Sequence, residues 1–461
     1  MNHCEKDYYR PVYHITPPSG WMNDPNGLIQ FKGKYHVFYQ YYPDAPRDGP
    51  KHWGHVRSDD MIHWEQLPIA LKPDAEYEQG CWSGSAVDNN GELTLIYTAH
   101  HDGRNPKETQ CAAFSSDGVN FVKYENNPVI NGPPGGFGDD FRDPKVFRRG
   151  ELWYMVAGCT RDNRGGILCY ASRDLRHWDC FGLLCQSDGT QGIMWECPDF
   201  FELGDEWVLL CSPIRMEGSK CIFLSGGADF RPGEKKAVFT RKAWQDADYG
   251  PDFYAPQTFE DDRGRRILIG WMDLWNTELI TAKDGWIGAL TFPRELYRGN
   301  GRIKQRPVEE LALLRKKCLL EGNKILKDGQ KNNLTGITGE TVEIAFSLPA
   351  MGKGHVSLSL RAHEQNGEKT VLEYDFGSRT FTIDTTHSGA GKTFHKEISA
   401  EKEEEITIHI LVDKSSVEFF LCGYAASCRI YPSPESVFYD IAACGADIQI
   451  TDLRIYALVI S

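Results

Sequence analysis

At 461 residues the chain is longer than one hydrophobic core usually serves, which predicts two domains. Its 41% hydrophobic and 25% charged residues are those of an ordinary soluble protein. A formal net charge of -14 argues against a nucleic-acid partner, because phosphate binding needs a basic face.

The segment Met1 to Gly20 carries Glu5, Lys6, Asp7 and Arg10 and no apolar run. It predicts neither a signal peptide nor a membrane span, and so a cytoplasmic location. The 14 cysteines are scattered without Cys-x-x-Cys pairs, which predicts reduced, mostly buried thiols. The stretch Trp21-Met22-Asn23-Asp24-Pro25-Asn26-Gly27 follows. Asn, Asp, Pro and Gly are poor strand formers and good turn formers, so Asp24 is expected where a turn meets a strand. Alone it reads as a tight turn. Phe141-Arg142-Asp143-Pro144 repeats the Asp-Pro turn before another strand, and Trp195-Glu196-Cys197-Pro198-Asp199 sets a carboxylate in a similar frame.

The chain also repeats on itself. Ser58-x-Asp60-x-x-x-Trp64 recurs as Ser115-x-Asp117-x-x-x-Phe121 and as Ser172-x-Asp174-x-x-x-Trp178, 57 residues apart each time. Strand-like runs precede the copies at Tyr35 to Gln40, Leu93 to Thr98 and Leu152 to Ala157, and Trp207 to Ser212 and Ile267 to Met272 extend the series. Each run follows a polar strand start, marked by Asp24, Ser83, Asp143, Glu196 and Asp252. Periods of this length with several short strands apiece predict the blades of a β-propeller, five in number. In that arrangement first strands line a central channel, which would gather Asp24, Asp143 and Glu196 at one mouth.

After Arg306-Pro307 the pattern changes. Val308 to Lys317 has apolar residues at helical spacing behind a proline and predicts a short linking helix. The runs Val356 to Arg361, Phe381 to Thr385, Ile406 to Val412 and Val417 to Leu421 alternate as strands do and predict a β-sandwich. The acidic run Glu401 to Glu405 is expected to be a solvated loop edge. The predicted organisation is all-β, with a five-bladed propeller over 1–306, a helical linker over 307–330 and a sandwich over 331–461.

Paired carboxylates across a bond are what glycoside hydrolysis requires. His14-x-x-Pro17, then Trp21 to Gly27, then Phe-Arg-Asp-Pro, then Glu196-Cys197, in that order, resemble glycoside hydrolase family 32, the invertase and fructan hydrolase family. The resemblance covers most of the first three hundred residues and implies the same propeller and sandwich. It implies Asp24 as nucleophile, Glu196 as general acid and then base, and Asp143 as an ionised transition-state stabiliser. It also suggests Asn23, Gln40, Trp53, Trp82, Ser83, Arg142 and Asp252 as sugar contacts. Arg142 is expected to keep Asp143 charged, and the neighbours of Glu196 to desolvate it. Asp248 is an equal candidate for the corner given to Asp252.

The expected activity is retaining β-fructofuranosidase cleavage of sucrose or sucrose 6-phosphate. The alternatives are an exo-acting fructan hydrolase, a fructosyltransferase, and a non-catalytic sugar-binding propeller. The expected partner is a small-molecule sugar, with no cofactor, metal, nucleic acid or membrane, and the oligomeric state stays open. His52-x-x-His55 and His100-His101 lack a third ligand at zinc spacing and read as polar-face histidines. Gly-x-Ser-x-Gly is absent as a strand-to-helix elbow, which argues against a serine hydrolase.

Overall fold

A computed structural model describes residues 7–400 and 403–460, so Glu5, Lys6, Glu401 and Lys402 lie outside it. More than half of the described chain is strand, with three short 3₁₀ turns as its only helical elements. No helix among the described residues is long and apolar enough to cross a membrane. Every cysteine among them is a free thiol.

Five antiparallel sheets follow one another to Pro307, here sheets I to V, each with four consecutive strands or nearly so. Their second strands coincide with the five apolar runs read from the sequence, for instance Lys34–Tyr42 and Glu206–Ile214, the last run passing its strand Arg266–Trp271 by one residue. The 57-residue repeat is a turn between third and fourth strands. Asp60 accepts from the amides of Ile62 and His63, Asp117 from Val119 and Asn120, and Asp174 from Arg176 and His177. Each serine hydroxyl donates to its aspartate, so the motif closes its own local bonds and needs no distant partner.

The first strands are Gly20–Phe31, Gly80–Asn89, Phe141–Arg149, Met194–Leu203 and Tyr254–Glu260. Each touches the next, and Tyr254–Glu260 returns to Gly20–Phe31, so they close a ring. The two-residue strand Trp286–Ile287, within the span of sheet V, pairs in parallel with Gly20–Phe31 and ties the last sheet to the first. His55, in the third strand His52–Ser58 of sheet I, is fully buried. Its ring lies 3.9 Å from that of Phe38 and 2.9 Å from His36 Nδ1, so it is a core histidine and not one on a polar face.

The helix expected over Val308 to Lys317 is shorter than its periodicity predicts. Residues Glu309–Leu314 form a 3₁₀ turn that buries Leu311 and Leu314, whose i, i+3 spacing suits that geometry. From Arg315 the chain is strand, and Arg315–Leu326 pairs with the C-terminal strand Ile448–Leu458. The ladder to a distant strand overrides the local helical signal.

Arg315–Leu326 and five other strands form sheet VI, and five more form sheet VII. The two pack face to face through Ile344, Ile410, Phe419 and Ile455 on one side and Leu358, Phe381 and Ile441 on the other. The strand Ser416–Leu421 of sheet VI is buried along its whole length, because its two faces meet different neighbours. Val417, Phe419 and Leu421 enter the core between VI and VII. Phe420 packs with Tyr13, Tyr39, Phe292 and Leu311 against the first five sheets. The acidic run is not simply solvated: Glu403 is buried and accepts from Lys304 Nζ at 2.6 Å and Asn300 Nδ2 at 3.0 Å.

Candidate active site

The segment Trp21 to Gly27 lies inside the strand Gly20–Phe31 and does not precede it as a turn. Its register against Lys34–Tyr42 shifts between Met22 and Pro25 and again between Asn26 and Ile29. A bulge absorbs residues that cannot hold a regular ladder and re-aims their side chains. Every other first strand shifts at the matching place: at Trp82/Gly84, between Arg142 and Lys145, at Glu196/Asp199 and at Tyr254/Gln257. Asp143, Cys197 and Ala255 take φ of 63°, 46° and 48° there. Four of the five bulges carry an X-Pro pair, Asp24-Pro25, Asp143-Pro144, Cys197-Pro198 and Ala255-Pro256. In that frame Cys197, not Glu196, stands with Asp24 and Asp143. Glu196 stands one residue earlier, with Asn23, Arg142 and Tyr254, and the fifth strand offers Tyr254 in place of Asp252.

The bulges bring three acids together. Asp143 Oδ2 accepts from the Cys197 amide at 2.8 Å, and Cys197 Sγ lies 3.4 Å from Asp24 Oδ2 and 3.6 Å from Asp143 Oδ2. Asp24 accepts from Ser83 Oγ at 2.6 Å and Asn23 Nδ2 at 2.9 Å. Gln40 Nε2 donates to Ser83 at 2.8 Å, and Trp21 Nε1 donates to Asn23 Oδ1 at 2.8 Å, which fixes the orientation of both. Across from them Glu196 accepts from Tyr254 Oη at 2.6 Å and Arg142 Nε at 3.1 Å.

Burial acts on the charge of Asp143 and of Glu196. Burial lifts the Asp143 carboxyl to about 8, helped by the charges of Glu196 and Asp24 against the pull of Arg142. Burial also lifts Glu196, against Arg142 and the Tyr254 hydroxyl. Arg142 therefore does not keep Asp143 in the ordinary carboxylate range, as the sequence suggested. Its guanidinium bonds Glu196, Glu108 and Asp140, and it reaches Asp143 only through space.

The remaining predicted contacts separate. Asn23, Gln40, Ser83 and Arg142 belong to the cluster. Trp82 stands beside it, stacked on His100 at 3.8 Å with the Arg142 guanidinium 5.9 Å from its ring. Trp53 is fully buried among Phe38, Leu95 and Tyr97 and donates to the Trp82 carbonyl, so it supports the wall from behind. Asp252 is 1% exposed and accepts from the Arg429 amide in sheet VI at 2.8 Å. Asp248 bonds Arg294 and Ser427. Both acids face the second part of the chain and not the cluster. Sequence reading missed Tyr254 and His100; the X-Pro frame one residue after Tyr254 is the signal that marks the first.

A family model for Glycosyl hydrolases family 32 N-terminal domain matches residues 14–307, and one for Glycosyl hydrolases family 32 C terminal matches 310–457. The chain is 38% identical over 455 residues to a sucrose-6-phosphate hydrolase of Zymomonas mobilis, covering 93% of this chain and 88% of that one. It is 37% identical to a raffinose invertase of Escherichia coli, covering 97% and 95%. A β-fructofuranosidase of Bombyx mori, solved as a mutant in complex with sucrose, superimposes with a TM-score of 0.83 at 35% identity, covering 98% and 94%.

Proposed function

The chain belongs to glycoside hydrolase family 32, and from that premise we propose that it is a retaining β-fructofuranosidase hydrolysing the fructosyl bond of sucrose or sucrose 6-phosphate. Relatives named for these activities, similar over nearly the whole chain, support the substrate class. The observation that carries the residue roles is the reach of Asp24 and Asp143 to one thiol, Cys197 Sγ, with Glu196 the preceding residue.

In this reading Asp24 attacks C2 of the fructosyl unit, oriented by hydrogen bonds from Ser83 and Asn23. Glu196, lifted by burial, carries the proton that the leaving oxygen takes, and then accepts one from water. Tyr254 and Arg142 hold that carboxyl in place. Asp143 faces the oxocarbenium-like centre, whose positive charge favours the carboxylate that burial opposes and the Cys197 amide bond supports. Gln40 and Trp82 complete the sugar-facing wall, and the substrate is a small sugar.

We further read sheets I to V as a five-bladed β-propeller holding the site, and sheets VI and VII as a β-sandwich, divided near Pro307. Arg315–Leu326 belongs with the sandwich through its ladder to Ile448–Leu458. Free thiols throughout the described residues support a reducing, cytoplasmic location.

NMR of the first-formed fructose tests the assignment. Retention gives the β-anomer from sucrose, and an initial α-anomer would remove Asp24 from the nucleophile's role.

A further inference from the structure

A cavity of about 780 Å³ opens from Glu196 toward the second part of the chain. Glu196 and Tyr254 form its inner end, while Asp24 and Asp143 are not among its lining residues. If the fructosyl unit sits between Asp24 and Glu196, as proposed above, the group that departs with the proton of Glu196 enters this cavity. Trp275 offers it a flat apolar wall, held by stacking on Trp21 at 6.0 Å.

The polar lining is basic where it is free to bind. Arg215 and Lys220 come from the loop between the second and third strands of sheet IV, Lys396 from the strand His395–Ser399 of sheet VII, and Lys392 from the loop just before that strand. Arg215, Lys220 and Lys396 have no ion-pair partner among the described residues. Lys392 is pinned by Thr277 Oγ1 at 2.8 Å and by Asp252 Oδ1 at 3.5 Å, which gives that buried acid a positioning role. The acids of the lining are already engaged: Asp248 with Arg294 at 2.8 Å, Asp246 with the Ser219 hydroxyl, and Glu196 with Arg142 and Tyr254. Four cations around one cavity run against a chain whose acids outnumber its bases, 65 to 51.

We propose that this cavity recognises a phosphate on the leaving group through Arg215, Lys220, Lys392 and Lys396, so that the preferred substrate is sucrose 6-phosphate, phosphorylated on its glucosyl unit. A phosphate monoester brings a charge of about -1.5 to -2 at pH 7 and three acceptor oxygens, which matches several converging N–H donors. Two of the four cations come from the sandwich side, so the second part of the chain contributes to specificity as well as to stability. The inference rests on the fructosidase reading.

The test compares kcat/KM for sucrose 6-phosphate and sucrose in the full-length wild type, in Arg215→Met, Lys220→Met and Lys396→Met, and in the triple variant. The wild type is expected to prefer the phosphorylated sugar by about 100-fold or more. Each single change should lower the ratio of the two by about tenfold, the scale of one charge-assisted hydrogen bond, and the triple change by more. Glucose 6-phosphate should inhibit the wild type better than glucose at pH 7.5. That advantage should shrink at pH 5, below the second phosphate pKa of about 6, and at high salt. Because the product inhibition uses wild-type protein, it does not depend on the folding of any variant. Cleavage of sucrose without a preference for sucrose 6-phosphate, or a ratio unchanged in the triple variant, would overturn the inference and leave the fructosidase reading standing. Release of fructose from neither sugar would overturn that reading itself.

Discussion

Two groups of buried acids lie within reach of sheet V, and they differ in how their charge is met. At the centre of the ring, Asp24, Asp143 and Glu196 are served chiefly by neutral donors, an amide, two hydroxyls and a carboxamide. The cation that bonds to them, Arg142 on Glu196, is shared with Glu108 and Asp140, and Lys51 acts on Asp24 only through space. At the junction with sheet VI, Glu418 and Asp413 flank His14 at 2.9 and 2.8 Å, and Arg294 bonds Glu418 and Asp248. There burial alone would raise Glu418, but Arg294 and His14 outweigh it and hold the carboxyl below its ordinary value. Burial would lower His14, yet its bonds to Asp413 and Glu418 lift it to about 9. Burial still raises Asp248. The contrast shows that burial alone does not fix the charge of an acid; the donors and cations beside it do. Asp248 and Asp252, candidates by sequence, stand on the junction side, where burial raises both, Asp252 to about 7 with help from the charge of Asp273.

The largest effect separating the two groups should come from Asp24→Ala. Removal of the attacking atom is expected to lower kcat on sucrose by about 10⁴-fold or more, with a melting temperature near that of wild type. A parallel fall in both would mean that Asp24 is structural, like the junction acids.

Glu418→Ala should do the reverse. It leaves Arg294 and His14 buried beside an empty site, which costs about 3 to 5 kcal/mol when one partner of a buried pair is removed. Urea unfolding should show this as a lower midpoint, while kcat measured on the folded fraction stays close to wild type. Loss of activity without loss of stability would erase the distinction drawn between the groups.

Tyr254→Phe sharpens the comparison inside the site. The lost hydroxyl donates to Glu196 at 2.6 Å and works to lower its pKa, so the variant's Glu196 should hold its proton to higher pH. The alkaline limb of the pH profile of kcat/KM should move upward, with a fall of about tenfold at the optimum. An unmoved limb would disconnect Tyr254 from the acid.

The smallest expected effect is on pH-dependent stability. A carboxyl raised from 3.8 to about 8 binds its proton in the folded state where the unfolded chain has released it. Stability therefore falls through this group as pH rises across that window, and Asp143→Asn should abolish the fall. Its melting temperature should exceed wild type by a few degrees more at pH 8 than at pH 5. The contribution of His14 has the usual sense for a raised histidine: it is full below 6.5 and lost as pH passes about 9. That loss should persist in Asp143→Asn, and its absence would show that the two groups are not independent.

The sequence by itself determined what neighbouring residues settle among themselves. Alternation gave the strands, since period-two burial is a local property, and the Ser-x-Asp turns revealed the repeat because each closes its hydrogen bonds within a few residues. The ordered acidic motifs gave the family and pointed to three acids that the bulges gather. Tertiary structure decided which surface each residue meets. Trp53 and Trp82 are both tryptophans of early strands, yet one is walled in by Phe38 and Tyr97 and the other borders the cluster. Glu418 and Phe419 alternate in one strand, and only the presence of sheet V on one side and sheet VII on the other makes the first an ion-pair partner and the second core. Arg315 to Lys317 read as the end of a helix until a strand more than a hundred residues later supplied their ladder. Periodicity assigns a side chain to a face, but burial, charge compensation and pKa depend on what the rest of the chain places opposite that face.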